Sequence, residues 1–400
     1  MSGGLWAHAR RAADAAAWGV FGGLGLATRL AGGRVAPPEP ARVRRILVIR
    51  LDLLGDLVFA APALAALRAA YPAAELTLLT LPYTRPLATL IPGVDRTLAL
   101  DVNRYRRPAG WRHLGEVLAL VRQLRTARFD LCLALHGRPA GALALLSGAR
   151  YRVGYAAHAY PFAFNLPAPG RRYERRQHEV EYCLDLARRV GANGPPVPRL
   201  TAPATDYRVP GLAPGERYLV LHPGASNGSA KRWPATAWGQ LAHAAARELG
   251  LRVVLSGGAG ERALVAAVAA GARASAVPLV GTSLLELAAL LAGAEAVVSG
   301  DTGPLHVAAA LGRPVLGIYG PTDPVQTGPL GARAAVVRRP VPCGPCYDLR
   351  APAECKLPDG AHVCMRELQP DTVLAALLDL LRPADGTRLS LARPASKGGG

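Results

Sequence analysis

The sequence predicts an α/β protein built from two doubly wound, parallel-sheet domains, and three observations carry that prediction. Short aliphatic runs without alternation, such as Ile46-Leu47-Val48-Ile49, alternate with longer helix-periodic segments, the pattern of βαβ units whose strands are covered on both faces. A chain of 400 residues exceeds what one ordinary core fills. Between Gly194 and Gly215 six prolines interrupt the pattern, which then starts again. Domains are therefore expected at 43–200 and 215–382, flanked by an N-terminal extension, 1–42, and an unfolded tail, 383–400.

Taken in order, Arg45 to Leu51 reads as a buried strand, and the turn Asp52–Asp56 leads into a helix from about Leu57 to Ala70 that Tyr71-Pro72 stops. A strand at Glu75–Thr80, a helix near Leu114–Ala127 and a strand at Asp130–Leu135 continue the series. Past the proline-rich linker, strands are expected at Tyr218–Leu221, Arg252–Ser256, Val277–Val280, Ala296–Ser299 and Val315–Tyr319. Helices fall at about Ala235–Leu249, Glu261–Ala270 and Ser283–Leu291, with a helix-like run at Val307–Leu311 and a last helix near Asp371–Leu381.

The formal charge of +19 and pI near 10.4 invite a nucleic-acid reading. Against it, the cations are scattered singly or in pairs, with little aromatic interleaving, so no nucleic-acid partner is expected. The excess charge suits anionic lipids, lipid phosphates and nucleotides instead. No run of about twenty uninterrupted apolar residues is present, so a conventional spanning helix is not expected. The nearest approach, Ala12 to Leu30, follows Arg10-Arg11, carries Trp18 and Phe21, and is broken by glycines and Arg29. A signal peptide, a membrane-surface helix and a floppy extension all fit it. The lack of a clear small-residue cleavage site favours a peripheral, membrane-facing segment.

Four of the six cysteines, Cys343, Cys346, Cys355 and Cys364, form a C-x2-C-x8-C-x8-C cluster in a loop rich in Pro and Gly. Zinc, an iron–sulfur cluster, disulfides and plain reduced thiols are all compatible with that set, and the spacers match no standard finger.

The chemistry-bearing motifs sit at the C-terminal ends of strands, where open parallel sheets bind ligands. In Asp52-Leu53-Leu54-Gly55-Asp56, Gly55 permits a tight turn; Asp56 is either a helix cap or a general base taking a proton from an attacking hydroxyl. In His222 to Pro234, a loop of small residues including Ser226 leads to Lys231-Arg232, so that amides, hydroxyls and cations converge where a diphosphate could lie. Lys231 is conspicuous because only Lys356 and Lys397 share its type. Its compact ammonium acts on phosphate oxygens as a point charge. In Ser256-Gly257-Gly258-Ala259-Gly260-Glu261, the glycines let a ligand approach the backbone and Glu261 can accept from ribose hydroxyls. In Ser299 to His306, Asp301, Thr302, Gly303 and His306 offer a carboxylate, a hydroxyl, a helix-start amide and an imidazole within one turn. The alternative for that turn is a capping aspartate and a packed histidine. Tyr319-Gly320-Pro321-Thr322-Asp323-Pro324 is a rigid turn expected to flank the same pocket.

These motifs, in this order, resemble glycosyltransferase family 9, the heptosyltransferases, which transfer heptose from ADP-heptose, typically in lipopolysaccharide-core assembly. The matching residues are Ile49-Arg50-Leu51 through Gly55-Asp56, His222-Pro223-Gly224 with Lys231-Arg232-Trp233-Pro234, Asp301-Thr302-Gly303 with His306, and Gly320 to Pro324. The cysteine cluster followed by Cys364-Met365 is similar to a late loop of some members. The resemblance spans about 45–382 and implies a GT-B fold, two Rossmann-like domains facing a central cleft, and an inverting transfer that needs no metal or other cofactor. It implies Asp56 as general base, Lys231 on the donor diphosphate, Asp301 on donor sugar hydroxyls, Thr302, Gly303 and His306 along the diphosphate site, and Glu261 on the ribose. An ADP-heptose donor, a lipid-linked or envelope glycan acceptor and a cytoplasmic site at the inner face of the plasma membrane follow from the same resemblance. The longer N-terminal extension and the individual loop 225–230 depart from the family pattern. A nucleotide-sugar 2-epimerase of the same architecture would need further acid–base groups, which the sequence does not place. A non-catalytic basic protein binding nucleotide or membrane would have no need of a base beside a diphosphate site.

Overall fold

The structure, a computed structural model, describes residues 35–382 apart from 105–109, 159, 171–175, 205–206, 226–228, 274, 348–354, 356 and 358–360. Most of the N-terminal extension, the tail 383–400 and Ser226 lie outside the described residues. Among those described, no helix is long and apolar enough to cross a membrane. The chain divides into two compact units between Thr201 and Ala202.

The first unit is a six-stranded parallel sheet. Its elements are β1 (Arg45–Ile49), α1 (Leu54–Ala70), β2 (Glu75–Thr80), β3 (Arg96–Ala99), α2 (Leu114–Ala127), β4 (Leu131–Ala134), α3 (Gly137–Leu146), β5 (Tyr151–Gly154), β6 (Leu166–Pro167) and α4 (Glu179–Arg188). The strand order is β3-β2-β1-β4-β5-β6, so the winding reverses between β1 and β4. That reversal leaves a crevice beyond the carboxyl ends of those two strands. The aliphatic runs form the central strands because both faces are covered. Ile46, Leu47, Val48 and Ile49 are fully buried, as are Leu131, Cys132 and Leu133.

The second unit repeats the plan with β7 (Tyr218–His222), α5 (Ala235–Leu249), β8 (Arg252–Gly257), α6 (Arg262–Gly271), β9 (Ala276–Val280), α7 (Leu284–Gly293), β10 (Ala296–Gly300), α8 (Gly303–Ala310), β11 (Val315–Tyr319), β12 (Ala334–Arg338) and α9 (Pro370–Leu381). Its order is β12-β11-β10-β7-β8-β9, with the reversal between β7 and β10. Pro278 is accommodated because β9 is an edge strand, where a missing ladder N–H costs little. Trp233 and Trp238 meet edge to face, centroids 5.2 Å apart, and Trp233 Nε1 donates to the Leu368 carbonyl at 3.0 Å. The segment after Lys231 is thereby pinned into the core.

The expected elements are present, with shifts at their ends. Strands β3, β5, β6 and β12 and helices α3 and α4 carry no sequence signal strong enough to announce them. The strands are short and mostly at sheet edges, and α3 opens with Gly-Arg-Pro. Helix α1 begins at Leu54, so Gly55 lies inside its first turn; the corner is made by extended Leu53, with φ −73° and ψ 173°, and not by Gly55.

Candidate active site

At the strand reversal of each sheet stands a cluster of polar side chains. In the first unit the cluster is organised by Arg50, which directly follows β1 and whose side chain is 1% exposed. Its Nη2 donates to Asp56 Oδ1 at 2.9 Å, its Nη1 lies 3.6 Å from Cys183 Sγ, and its Nε stands 3.0 Å from Asp52 Oδ2 without the alignment of a hydrogen bond. Glu179 Oε2 lies 3.8 Å from the same Nη2. His136, just past β4, approaches Asp52 Oδ2 through Nδ1 at 3.1 Å.

Asp56 occupies the third position of α1, and its Oδ2 accepts the Leu53 N–H at 3.2 Å. Asp56 therefore accepts a backbone N–H at the start of the helix while standing at the crevice beyond β1. Its side chain keeps 29% exposure although protein surrounds it densely. Burial raises its pKa above the ordinary carboxylate value, and Asp52 and Glu179 push the same way, while Arg50 and His136 oppose them. An aspartate so placed is a better base than one in open solvent.

In the second unit the centre is Asp301, directly after β10 and 8% exposed. His306 Nε2 lies 3.3 Å from Oδ1, Tyr319 Oη donates to the same oxygen at 3.3 Å, and Thr327 Oγ1 donates to Oδ2 at 3.3 Å. Lys231 Nζ sits 3.4 Å from Oδ2 and 3.3 Å from the Asp301 carbonyl oxygen. Burial opposes the charge of Asp301, but the His306 hydrogen bond, the Lys231 and His306 charges and Thr322 outweigh it. The carboxylate is held well below its usual range. The Lys231 ammonium also stands over the Tyr347 ring, 4.4 Å from its centroid.

Thr302 stands at the N-cap position of α8 in extended conformation, its Oγ1 turned to Ser299 Oγ at 2.8 Å and not to the helix, and Gly303 opens the helix, whose first turn leaves N–H groups without intrahelical partners. Glu261 is brought against the turn after β7: a Cβ on Gly224 would fall 2.2 Å from Glu261 Oε1. Its Oε2 accepts the Gly258 N–H at 2.8 Å, so the residue caps its own turn as well. His222 is buried and bonded to Ser256 Oγ at 3.0 Å; burial lowers its pKa despite Glu261, which keeps it neutral. Lys231, Glu261, Asp301, Thr302, Gly303 and His306 are thus gathered at one sheet end of the second unit, and Asp56 at that of the first.

Sequence reasoning did not find Glu179, His136 or Thr327. Each depends on contacts far along the chain or on a short element that gives no periodic signal. Among the described residues no three His, Cys, Asp or Glu side chains form a group able to hold a metal ion. Cys343, Cys346, Cys355 and Cys364 form no disulfide. Cys364 is buried under Gly320, where an added Cβ would lie 3.0 Å from its Sγ, and burial pushes its thiol up, with Cys346, Cys343 and Cys355 adding to the effect.

Residues 117–357 match the sequence profile of glycosyltransferase family 9 (heptosyltransferase). Lipopolysaccharide heptosyltransferase 1 of Pseudomonas aeruginosa is 31% identical over 323 residues, covering 76% of this chain and 86% of that protein. Among solved structures, the Escherichia coli ADP-heptose lipopolysaccharide heptosyltransferase II superposes with a TM-score of 0.66 at 26% identity, over 84% of this chain and 98% of its own. The E. coli heptosyltransferase WaaC with ADP gives a TM-score of 0.66 at 25% identity, over 84% and 99%. The two Rossmann-like units are those of the GT-B fold shared by these structures.

Proposed function

Because the chain belongs to glycosyltransferase family 9, the heptosyltransferases, we propose that it moves a heptose, or a related sugar, from an ADP-sugar to a hydroxyl of a lipopolysaccharide-core or other cell-envelope glycan. The transfer is a single displacement: the acceptor oxygen bonds to the anomeric carbon, the bond from that carbon to the diphosphate breaks, and the configuration inverts. Asp56 takes the acceptor proton. Lys231 neutralises charge on the departing diphosphate, so that no metal ion is required. Asp301 contacts the donor sugar hydroxyls; Thr302, Gly303, His306 and Ser226 line the diphosphate, and Glu261 reads the ribose. The acceptor is lipid-linked, and the enzyme meets it from the cytoplasm at the inner face of the plasma membrane.

One observation carries the donor half of this reading. Lys231, 13% exposed and tied to a buried aspartate at the reversal of the second sheet, places a fixed cation where parallel sheets bind ligands. Asp56 lies ahead of the residues matched by the family profile, so its role rests on its own surroundings: a raised pKa, partial exposure and a fixed orientation.

Calorimetric titration of the full chain with ADP, UDP, GDP and ADP-heptose, paired with a transfer assay on heptose-deficient lipopolysaccharide, tests the proposal. ADP and ADP-heptose are expected to bind selectively. Asp56→Asn should lower transfer about 100-fold or more while donor affinity stays close to wild type. Lys231→Ala should weaken both. Preference for UDP or GDP would discard ADP-heptose, and normal turnover by Asp56→Asn would remove the base from the mechanism.

A further inference from the structure

The rigid turn Gly320–Pro324, after β11, and the start of the cysteine loop come together beside Lys231. The N–H groups of Cys346 and Tyr347 both donate to the Pro321 carbonyl oxygen at 2.9 Å. Gly320, the neighbour of Pro321, is packed against Cys364 and Met365 from the far end of the same loop. Strand β11 itself ends in Tyr319, whose hydroxyl donates to Asp301 Oδ1. The turn thus ties the loop to the Asp301 cluster. From that tie Tyr347, itself half-buried, lays its ring against the Lys231 ammonium, with Nζ 4.4 Å from the ring centroid.

We propose that Tyr347 is a positioning residue for Lys231, its ring face holding the ammonium where the donor diphosphate meets it. The proposal rests on the reading of Lys231 as the cation of the donor site. A lysine carries its charge on a flexible four-carbon stem, and ordering that stem costs entropy which the site must recover. The contacts of Nζ to Asp301, 3.4 Å to Oδ2 and 3.3 Å to the carbonyl oxygen, are long for bonds from an ammonium. They leave it loosely held, and the ring adds a contact of another kind. A second carboxylate in that place would restrain the ammonium too, but it would cancel the charge that a diphosphate needs. An aromatic face attracts a cation through its quadrupole and has no net charge of its own. Lys231 is therefore fixed and still cationic towards a ligand.

The same placement gives the cysteine loop and the turn after β11 a shared task. The turn anchors residues 346 and 347 by one carbonyl, and the loop returns an aromatic face to a lysine that precedes it by more than four elements of the sheet and its helices. A ring that only covered the lysine stem would be replaceable by any apolar side chain of similar size. A ring that holds the ammonium is not, because the attraction depends on the electrons of its face.

The test is calorimetric titration of the full chain with ADP and, separately, with adenosine. The variants are Tyr347→Phe, Tyr347→Leu and a series with phenylalanines bearing one, two or three ring fluorines in place of Tyr347. Tyr347→Phe keeps the ring face and is expected to bind ADP within about twofold of wild type. Tyr347→Leu should weaken ADP about fivefold, and the fluorinated rings should weaken it in steps, since each fluorine withdraws electron density from the face while barely changing its size. Adenosine, which lacks the diphosphate, should bind equally across the series. In a Lys231→Ala background, Tyr347→Leu should cost no further ADP affinity. Equal ADP affinity across the fluorinated rings, or a parallel loss for adenosine, overturns the assignment and leaves Tyr347 as apolar cover. If Tyr347→Leu does not fold, the fluorinated series decides alone. If Lys231→Ala binds ADP as wild type does, the donor-site reading of Lys231 fails first and the role of Tyr347 falls with it; a Lys231→Ala loss beside a flat ring series sinks only the role of the ring.

Discussion

Asp56 and Asp301 are both aspartates just past a central parallel strand, and their surroundings drive them in opposite directions. Asp301 is buried among His306, Lys231, Tyr319 and Thr327, all of which favour its charge. Asp56 is caught between burial and two acids on one side and Arg50 with His136 on the other, and its proton is held more firmly than usual. The linkage signs follow. Asp301 adds stability above the unfolded carboxylate value of about 3.9, and that contribution drains away as pH falls below it. Asp56 costs stability above the same value, and the cost is relieved on acidification. Asp301→Asn is therefore expected to destabilise the second unit by about 3 kcal/mol at neutral pH, because Lys231 is left half-buried without its counter-charge. Asp56→Asn should leave stability unchanged or higher while transfer is lost. Urea melts at pH 7 and pH 2 measure both, and the two variants should converge towards wild type at the lower pH.

At the scale of elements, the site depends on close backbone approaches that only glycine allows. Helices α5 and α6 touch through Gly239 and Gly271: a Cβ on Gly239 would lie 2.8 Å from the Gly271 Cα and 3.1 Å from the Val268 carbonyl oxygen. Those are backbone atoms, which cannot swing aside as a side-chain end can. Gly239→Ala should force the helices apart and cost about 2 kcal/mol, read as a lower urea midpoint with no change in the slope. The contact at Gly224 is of the other kind, since the obstructing atoms belong to the Glu261 carboxylate. The elements legible in the sequence are β1, β2, β4 and β7 to β11 among strands, and α1, α2 and α5 to α9 among helices, most of them strongly periodic or fully buried. Helix α4 was not legible, although its apolar residues bury against α1, because the proline- and arginine-rich stretch around it gives no boundary signal. The residue that α4 delivers, Glu179, was hidden for the same reason.

For the whole molecule, the +19 net charge is carried almost wholly by scattered arginines, which attracts anionic surfaces without specifying a sequence-reading interface. The full chain is expected to sediment with phosphatidylserine-containing vesicles at low salt, to release at about 0.5 M salt as screening shortens the reach of charge, and to ignore neutral vesicles. Retention on neutral vesicles would place the apolar segment 12–30 in control instead. The sequence by itself determined the parallel α/β class, the restart of the pattern after the prolines, and the identity of most strand-end residues. Local rules suffice for these, because buried parallel strands must be aliphatic and their following turns must carry whatever polar groups function needs. Which polar groups meet was decided by tertiary structure. The order of strands sets Asp52 beside His136 and Lys231 beside Asp301, and the return of α4 sets Glu179 beside Arg50. Whether an aspartate holds or yields its proton depends on burial and on charges from distant parts of the chain, and those distances exist only after folding.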